Sequence, residues 1–251
     1  MASLSKPTGV LQLADIACGS GKFPAALIEH TKLPELIDAK GKTIQVLYDL
    51  LDPSTFAIKE AAAVLKLPFV ERDHYCCRLQ DWQPKPNTYD LSWATHALYC
   101  VPAEEMNECI SIVKSGMGSN GIGIVAQSNR SGHYIRFYEH FLDSIHGGNG
   151  TRFSAAEDVD KAAEKVGFER QNRTLNYETV IDENDRQALE SYLQRCAFDD
   201  SIALDQMLNS GSLGQYLAST KKQGAYRFQQ SVDVIVFGND LSLFNFWMQD
   251  E

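Results

Sequence analysis

The sequence has no Cys-x-x-Cys pair and no His-Glu-x-x-His or His-x-x-x-His pair. The ligand spacings that gather a metal ion on one turn are missing, so no metal is expected. The segment Met1 to Gly9 lacks the charged, apolar and small-residue zones of an export signal. Cys18, Cys76, Cys77, Cys100, Cys109 and Cys196 are therefore expected to be free thiols in a cytoplasmic protein. No apolar run approaches the roughly 20 residues that cross a bilayer, and no membrane partner is expected. Basic residues are scarce, with 23 Lys and Arg against 33 Asp and Glu, a net charge of -10 and a pI near 5.1. That balance lacks the footprint phosphate backbones demand, so nucleic acid is not an expected partner. No repeat and no Pro- or Ser-rich linker divides the 251 residues, and 1–251 reads as one domain, monomeric or homodimeric.

Apolar β-type runs alternate with helical patterns, the signature of βαβ units in a mostly parallel sheet. Strands are predicted at Val10 to Ala17, Ile44 to Leu51, Phe69 to Cys76, Asp90 to Ala97 and Gly121 to Gln127. Two more are predicted at Thr174 to Ile181 and Ser231 to Phe237. Helices are predicted over Phe23 to Glu35, over Ser54 to Leu65 and from Met106 to the stop at Gly116. Ser154-Ala-Ala-Glu157 reads as a capping box opening a helix that Gly167 closes. The stretch 183–224 reads as a helical insertion on the substrate side, before the last strand. Gly147-Gly148-Asn149-Gly150 reads as a loop, and the apolar stretch Leu241 to Trp247 as a docking tail.

The chemistry concentrates where the first strand turns into the first helix, at Asp15-Ile16-Ala17-Cys18-Gly19-Ser20-Gly21-Lys22-Phe23. Doubly wound sheets bind ligands at this position. Gly19 and Gly21 admit a close backbone approach, an acidic residue stands four positions before the first of them, and Pro24 replaces the third glycine of a dinucleotide fingerprint. At the end of the second strand, Asp52 can accept hydrogen bonds from both hydroxyls of a ribose, with Asp49 as the competing candidate.

These residues resemble the first motif of the class I methyltransferases, acidic-x-Gly-x-Gly-x-Gly, with Ala17 in place of the first glycine. The resemblance implies a Rossmann-like α/β fold: a mostly parallel seven-stranded sheet with an antiparallel last strand. It implies S-adenosyl-L-methionine as cofactor, leaving S-adenosyl-L-homocysteine. Its methionine half would lie against Ala17, Gly19 and Gly21, with Asp15 organising the ammonium end. Asp81 and Trp82 resemble the segment that meets the adenine. The tip of the fourth strand, Thr95-His96-Ala97-Leu98-Tyr99, would bring Thr95 to the cofactor and His96 and Tyr99 to the reacting methyl group. Methyl transfer from a sulfonium needs alignment and a dry pocket, and a base only for a protonated nucleophile. His96 can take such a proton or orient the acceptor by a hydrogen bond.

The later two thirds resemble histamine N-methyltransferase and its relatives through Tyr89-Asp90, Ala97 to Val101, Ser131-Gly132, Leu189 to Phe198 and Phe228 to Val232. That likeness implies substrate contacts from His96, Tyr99, His133, Phe137, Tyr192 and Gln230, an aromatic surround suited to a flat or cationic molecule. The relatives carry a long helical segment, with a glutamate for the substrate amine, before the first motif. Fourteen residues precede Asp15 here, so histamine specificity is not expected; a truncated chain, completion by a partner and a larger or different acceptor are the open alternatives. The expected activity is methyl transfer to a nitrogen or oxygen of a small polar molecule, amine- or imidazole-containing. The competing expectation is an inactive methyltransferase-like subunit that completes a partner.

Overall fold

The computed structural model describes residues 10–35 and 44–242. The sheet holds β1 (Val10–Ile16), β2 (Gln45–Leu51), β3 (Phe69–Tyr75), β4 (Tyr89–Thr95), β5 (Met117–Ser128), β6 (Glu169–Asp182), β7 (Lys221–Lys222) and β8 (Ala225–Gly238). Its order is β3-β2-β1-β4-β5-β8-β6, with the two-residue β7 added beside β8. β8 runs antiparallel to both β5 and β6, while β1 to β5 pair in parallel. This is the expected doubly wound sheet. The order reverses between β1 and β4, which opens a crevice at their C-terminal ends.

Helices α1 (Lys22–His30) and α2 (Thr55–Val64) follow β1 and β2, and α3 (Met106–Gly116) leads into β5. Alternation along the strands sorts the two faces. Leu13, Tyr48, Leu50 and Trp93 pack on the side where Phe23, Leu27, Ile58 and Ala61 of α1 and α2 lie. Ala14, Ile16, Leu51, Ala94 and Val125 pack against α3 and α5 (Ala156–Lys165). A separate core joins α4 (His133–Ile145), α6 (Arg186–Ala197), α7 (Leu204–Asn209) and α8 (Gly211–Thr220) to Tyr226 and Phe228 of β8.

Several boundaries differ from the sequence expectation. The first helix ends at His30, where the Thr31 hydroxyl accepts the Leu33 amide at 3.1 Å; a short 3-10 turn follows at Leu33–Glu35. The cap of α5 is shifted by one residue. Asp158, not Glu157, reaches back to the Ala155 amide at 2.9 Å, while Ser154 donates its hydroxyl to Val101 and Glu157 accepts from the Arg130 amide. Gly167 does close this helix: the Phe168 amide reaches Ala163 at 3.0 Å, with Gly167 in the left-handed region. β6 and β8 run to 14 residues each, longer than their apolar centres, since ladder bonding continues where the side chains are polar. Leu241 is buried against Ile122 and Val236, and residues 243–247 of the expected tail lie outside the described residues.

β2 and β3 pair with a shift. Tyr48 faces Glu71 and Leu50 faces His74, so Arg72 and Asp73 share the place opposite Asp49. Asp49 fills this bulge: its carboxylate accepts from the Asp73 amide at 3.1 Å, from Arg72 Nε at 2.7 Å and from the Tyr89 hydroxyl at 2.8 Å.

Candidate active site

The turn after β1 carries three left-handed residues, Ala17 (φ 53°), Gly19 (φ 52°) and Gly21 (φ 72°). The two glycines are there for different reasons. A Cβ on Gly21 would stand 2.6 Å from Val64 Cγ2 and 2.8 Å from Ala61 Cα, so glycine lets the start of α1 close onto α2. A Cβ on Gly19 would meet nothing within 4 Å. The space above Gly19 is open, as a turn that receives a ligand requires. Gly19→Ala is therefore expected to cost about 1 kcal/mol, the left-handed backbone penalty alone, while Gly21→Ala costs about twice that because α2 must also move. Urea unfolding of the two variants measures the difference.

Asp52 joins this turn to the end of β2. Its Oδ2 accepts the Gly19 amide at 3.1 Å and its Oδ1 the Ser54 amide at 2.8 Å. Each oxygen keeps a lone pair for a further donor. Asp49, the competing candidate, is committed to Arg72, Asp73 and Tyr89 on the other side of the strand and is sealed from the crevice. Asp15 lies under the turn, 3% exposed, with Oδ2 taking the Tyr48 hydroxyl at 2.6 Å. Burial pushes its carboxyl up to about 7, against the pull of the Tyr48 hydrogen bond.

At the tip of β4, His96 adopts a left-handed φ of 51°, uncommon for a residue with a side chain, and its amide donates to Ala126 at 2.7 Å. Its ring lies at the surface, with Nδ1 2.7 Å from the Tyr99 hydroxyl. Loss of water around the ring holds its pKa below the ordinary histidine value. Thr95 is half-buried beside it.

The other expected residues divide. Gln230 on β8 donates to the Tyr192 hydroxyl of α6 at 2.8 Å, and the Tyr192 ring stacks on His133 at 5.6 Å. His133, Tyr192 and Gln230 thus come together. Four of the expected residues are enclosed. Trp82 is not an open wall for adenine: it is 3% exposed in the main core beside Tyr75 and Tyr89. Phe137 is fully buried against Phe141 in the helical core. His133 is enclosed by Tyr192, Tyr216 and Phe228, bonded to the Tyr216 hydroxyl, and burial lowers its pKa to about 3. Tyr99 has no exposed surface, so it can act only through a neighbour. Asp81 stands exposed on the 3-10 turn after β3 and pairs with Arg78 at 2.8 Å, which holds its carboxyl below the ordinary value.

Sequence reading missed Tyr177 and Leu175 of β6. Register places Tyr177 opposite Gln230 and Leu175 opposite Val232, on the same face of the sheet, and both large side chains are about half exposed. The sign available in the sequence was their spacing of two within a polar strand. A hollow of about 470 Å³ at the end of α6, lined by Ser191, Gln194, Arg195, Phe198, Asp199 and Asp200, includes no residue of the glycine turn. The six cysteines are free thiols. Among the described residues no cluster of metal-ligating side chains occurs, and no helix is long and apolar enough to cross a membrane.

No protein-family model matches the chain. It is similar to N-terminal Xaa-Pro-Lys N-methyltransferase 1 of Ailuropoda melanoleuca, 33% identical over 54 residues, which are 22% of this chain and 24% of that protein. The match therefore spans about a quarter of the relative. A solved structure from Bacillus halodurans C-125, provisionally described as a methyltransferase, superposes with a TM-score of 0.61 at 13% identity, covering 95% of both chains. Another, from Galdieria sulphuraria and provisionally described as a sarcosine dimethylglycine methyltransferase, gives 0.53 at 12% identity, covering 92% of this chain and 78% of that one. The chain has the methyltransferase fold.

Proposed function

We propose that the protein binds S-adenosyl-L-methionine over the β1 turn and transfers its methyl group to a nitrogen or oxygen of a small polar molecule. The observation that carries this reading is the pairing of open space above Gly19 with the Asp52 carboxylate, which is bonded to the Gly19 amide and retains lone pairs for two hydroxyls. Ala17, Gly19 and Gly21 would hold the methionine half, Asp52 the ribose, and Asp81 the adenine amine. Asp15, beneath the turn, would become an anion opposite the cofactor's ammonium. Thr95 would flank the reacting centre.

Held there by Ala17, Gly19, Gly21 and Asp52, the cofactor would supply an electrophilic methyl group to the acceptor's lone pair and would leave as the neutral thioether. The chain's part is placement. His96 follows the C-terminal end of β4, the same end of the sheet as the glycine turn, and Gln230 of β8 lies beside Tyr177 of β6 and bonds Tyr192 of α6. An amine acceptor agrees with the aromatic surfaces there. The similar protein named as an N-terminal Xaa-Pro-Lys N-methyltransferase lends support to a nitrogen acceptor.

Calorimetry of S-adenosyl-L-methionine with the full chain and with Asp52→Ala tests the cofactor. Micromolar binding by the parent, weakened tenfold or more in the variant, about 1.4 kcal/mol, is the expected result. A folded parent that does not bind would leave only the reading of an inactive subunit completed by a partner. A panel of small amines, imidazoles, phenols and short peptides with labelled cofactor then identifies the acceptor.

A further inference from the structure

His96 and Tyr99 form a unit whose protons can be counted. The Tyr99 oxygen accepts the Ser128 amide at 3.0 Å and lies 2.7 Å from His96 Nδ1. Tyr99 is fully buried, and burial raises its pKa, so the hydroxyl keeps its proton. Among the described residues His96 Nδ1 is the one acceptor recorded for that proton. The opposite arrangement, Nδ1–H donating to Tyr99, would strand a buried hydroxyl proton, at a cost of about 1–3 kcal/mol. Tyr99 therefore donates, Nδ1 accepts, and the neutral imidazole carries its hydrogen on Nε2.

We propose that Tyr99 is a positioning residue that fixes His96 as the Nε2–H tautomer, making His96 a hydrogen-bond donor to an oxygen of the methyl acceptor. The role toward the acceptor rests on the reading of this cleft given above. A nitrogen that already bears a hydrogen cannot receive one, so His96 is not the base of the reaction. The acceptor nitrogen arrives unprotonated or yields its proton to solvent. What Nε2–H recognises is an acceptor lone pair, and the class we propose is amines carrying an oxygen acceptor, such as a carboxylate or carbonyl, close to the methylated nitrogen. The left-handed backbone at His96 is held in place by the hydrogen bond from its amide to the Ala126 carbonyl, as strain kept at a functional position would be.

Proton–nitrogen NMR correlations of the imidazole, recorded on the cofactor-free full chain, read the tautomer directly. The expected result is Nε2–H in the parent. Tyr99→Phe keeps the ring and removes the hydroxyl, and is expected to give mixed tautomers and a raised His96 pKa. An Nδ1–H parent overturns the assignment, and so does a folded Tyr99→Phe variant with an unchanged tautomer. If that variant does not fold, the parent spectrum alone decides. With acetate as an oxygen-bearing probe the Nε2–H resonance is expected to move, and with methylammonium to stay. Movement with methylammonium alone, or with neither, overturns the donor role. Failure of cofactor binding would sink the proposed function and leave the tautomer measurement standing.

Discussion

Arg72→Ala is expected to destabilise the protein by about 3 kcal/mol or more, the lower part of the range for leaving a buried charge without its partner. Asp49 is 1% exposed and receives two of its hydrogen bonds from Arg72, through Nε at 2.7 Å and Nη2 at 2.5 Å. The Tyr89 hydroxyl and the Asp73 amide remain after the substitution, which keeps the loss from reaching the upper end. The guanidinium is about a quarter exposed, so solvent already screens the pair in the parent and moderates the loss. Removing both charges with Asp49→Leu and Arg72→Met should recover much of the stability, since a well-packed apolar pair avoids the desolvation penalty. Urea denaturation of the single and double variants decides this. A double variant no more stable than the single would show that the bulge needs the carboxylate for the Asp73 amide more than it needs neutrality.

Asp15→Asn is expected to stabilise the cofactor-free protein at pH 8 by a few kcal/mol. Burial raises this carboxyl from 3.8 to about 7, so between those values the unfolded chain ionises while the folded chain stays protonated. The folded state then binds more protons, and its stability falls as pH rises through that window. Above about pH 7 the whole penalty is present, up to about 4 kcal/mol for a shift of this size. Asparagine never ionises and can still accept the Tyr48 hydroxyl. Its gain should therefore vanish near pH 4 and reach a plateau above pH 7, which thermal or urea unfolding across pH will show. A constant difference would place the cause elsewhere. The same variant should bind S-adenosyl-L-methionine more weakly, if the buried anion faces the ammonium group. An activity gained at the expense of stability is the usual character of such a site.

The glycine turn was legible because its constraints are local. Gly19, Gly21, Asp15 and Asp52 announce a strand end, a tight turn and a carboxylate, and each needs only its neighbours in sequence. Asp49 and Asp52 are alike in the sequence, and only the sheet separates them, by turning one into the β3 bulge and the other toward Gly19. The burial of Trp82, Phe137 and His133 was not legible for another reason: an aromatic residue has the same signature in a core as in a pocket, and long-range packing decides. Helix α4 was not predicted, although Tyr134, Phe137, Tyr138 and Phe141 recur at helical spacing and all pack on the helical core. β6 was read short because most of its 14 residues are polar and exposed, so only the ladder with β8 reveals its length.

The helical core of α4, α6, α7 and α8 shares few residues with the two cores that flank the sheet. Two bodies of packing that meet along β8 can open at different free energies. Hydrogen exchange should then divide the molecule, with amides of α6 to α8 exchanging through a partial opening that leaves β1, β2 and β4 closed. A molecule built this way can open along its helical side while the sheet beneath the glycine turn holds still, and substitutions in those helices can change that opening without disturbing the turn.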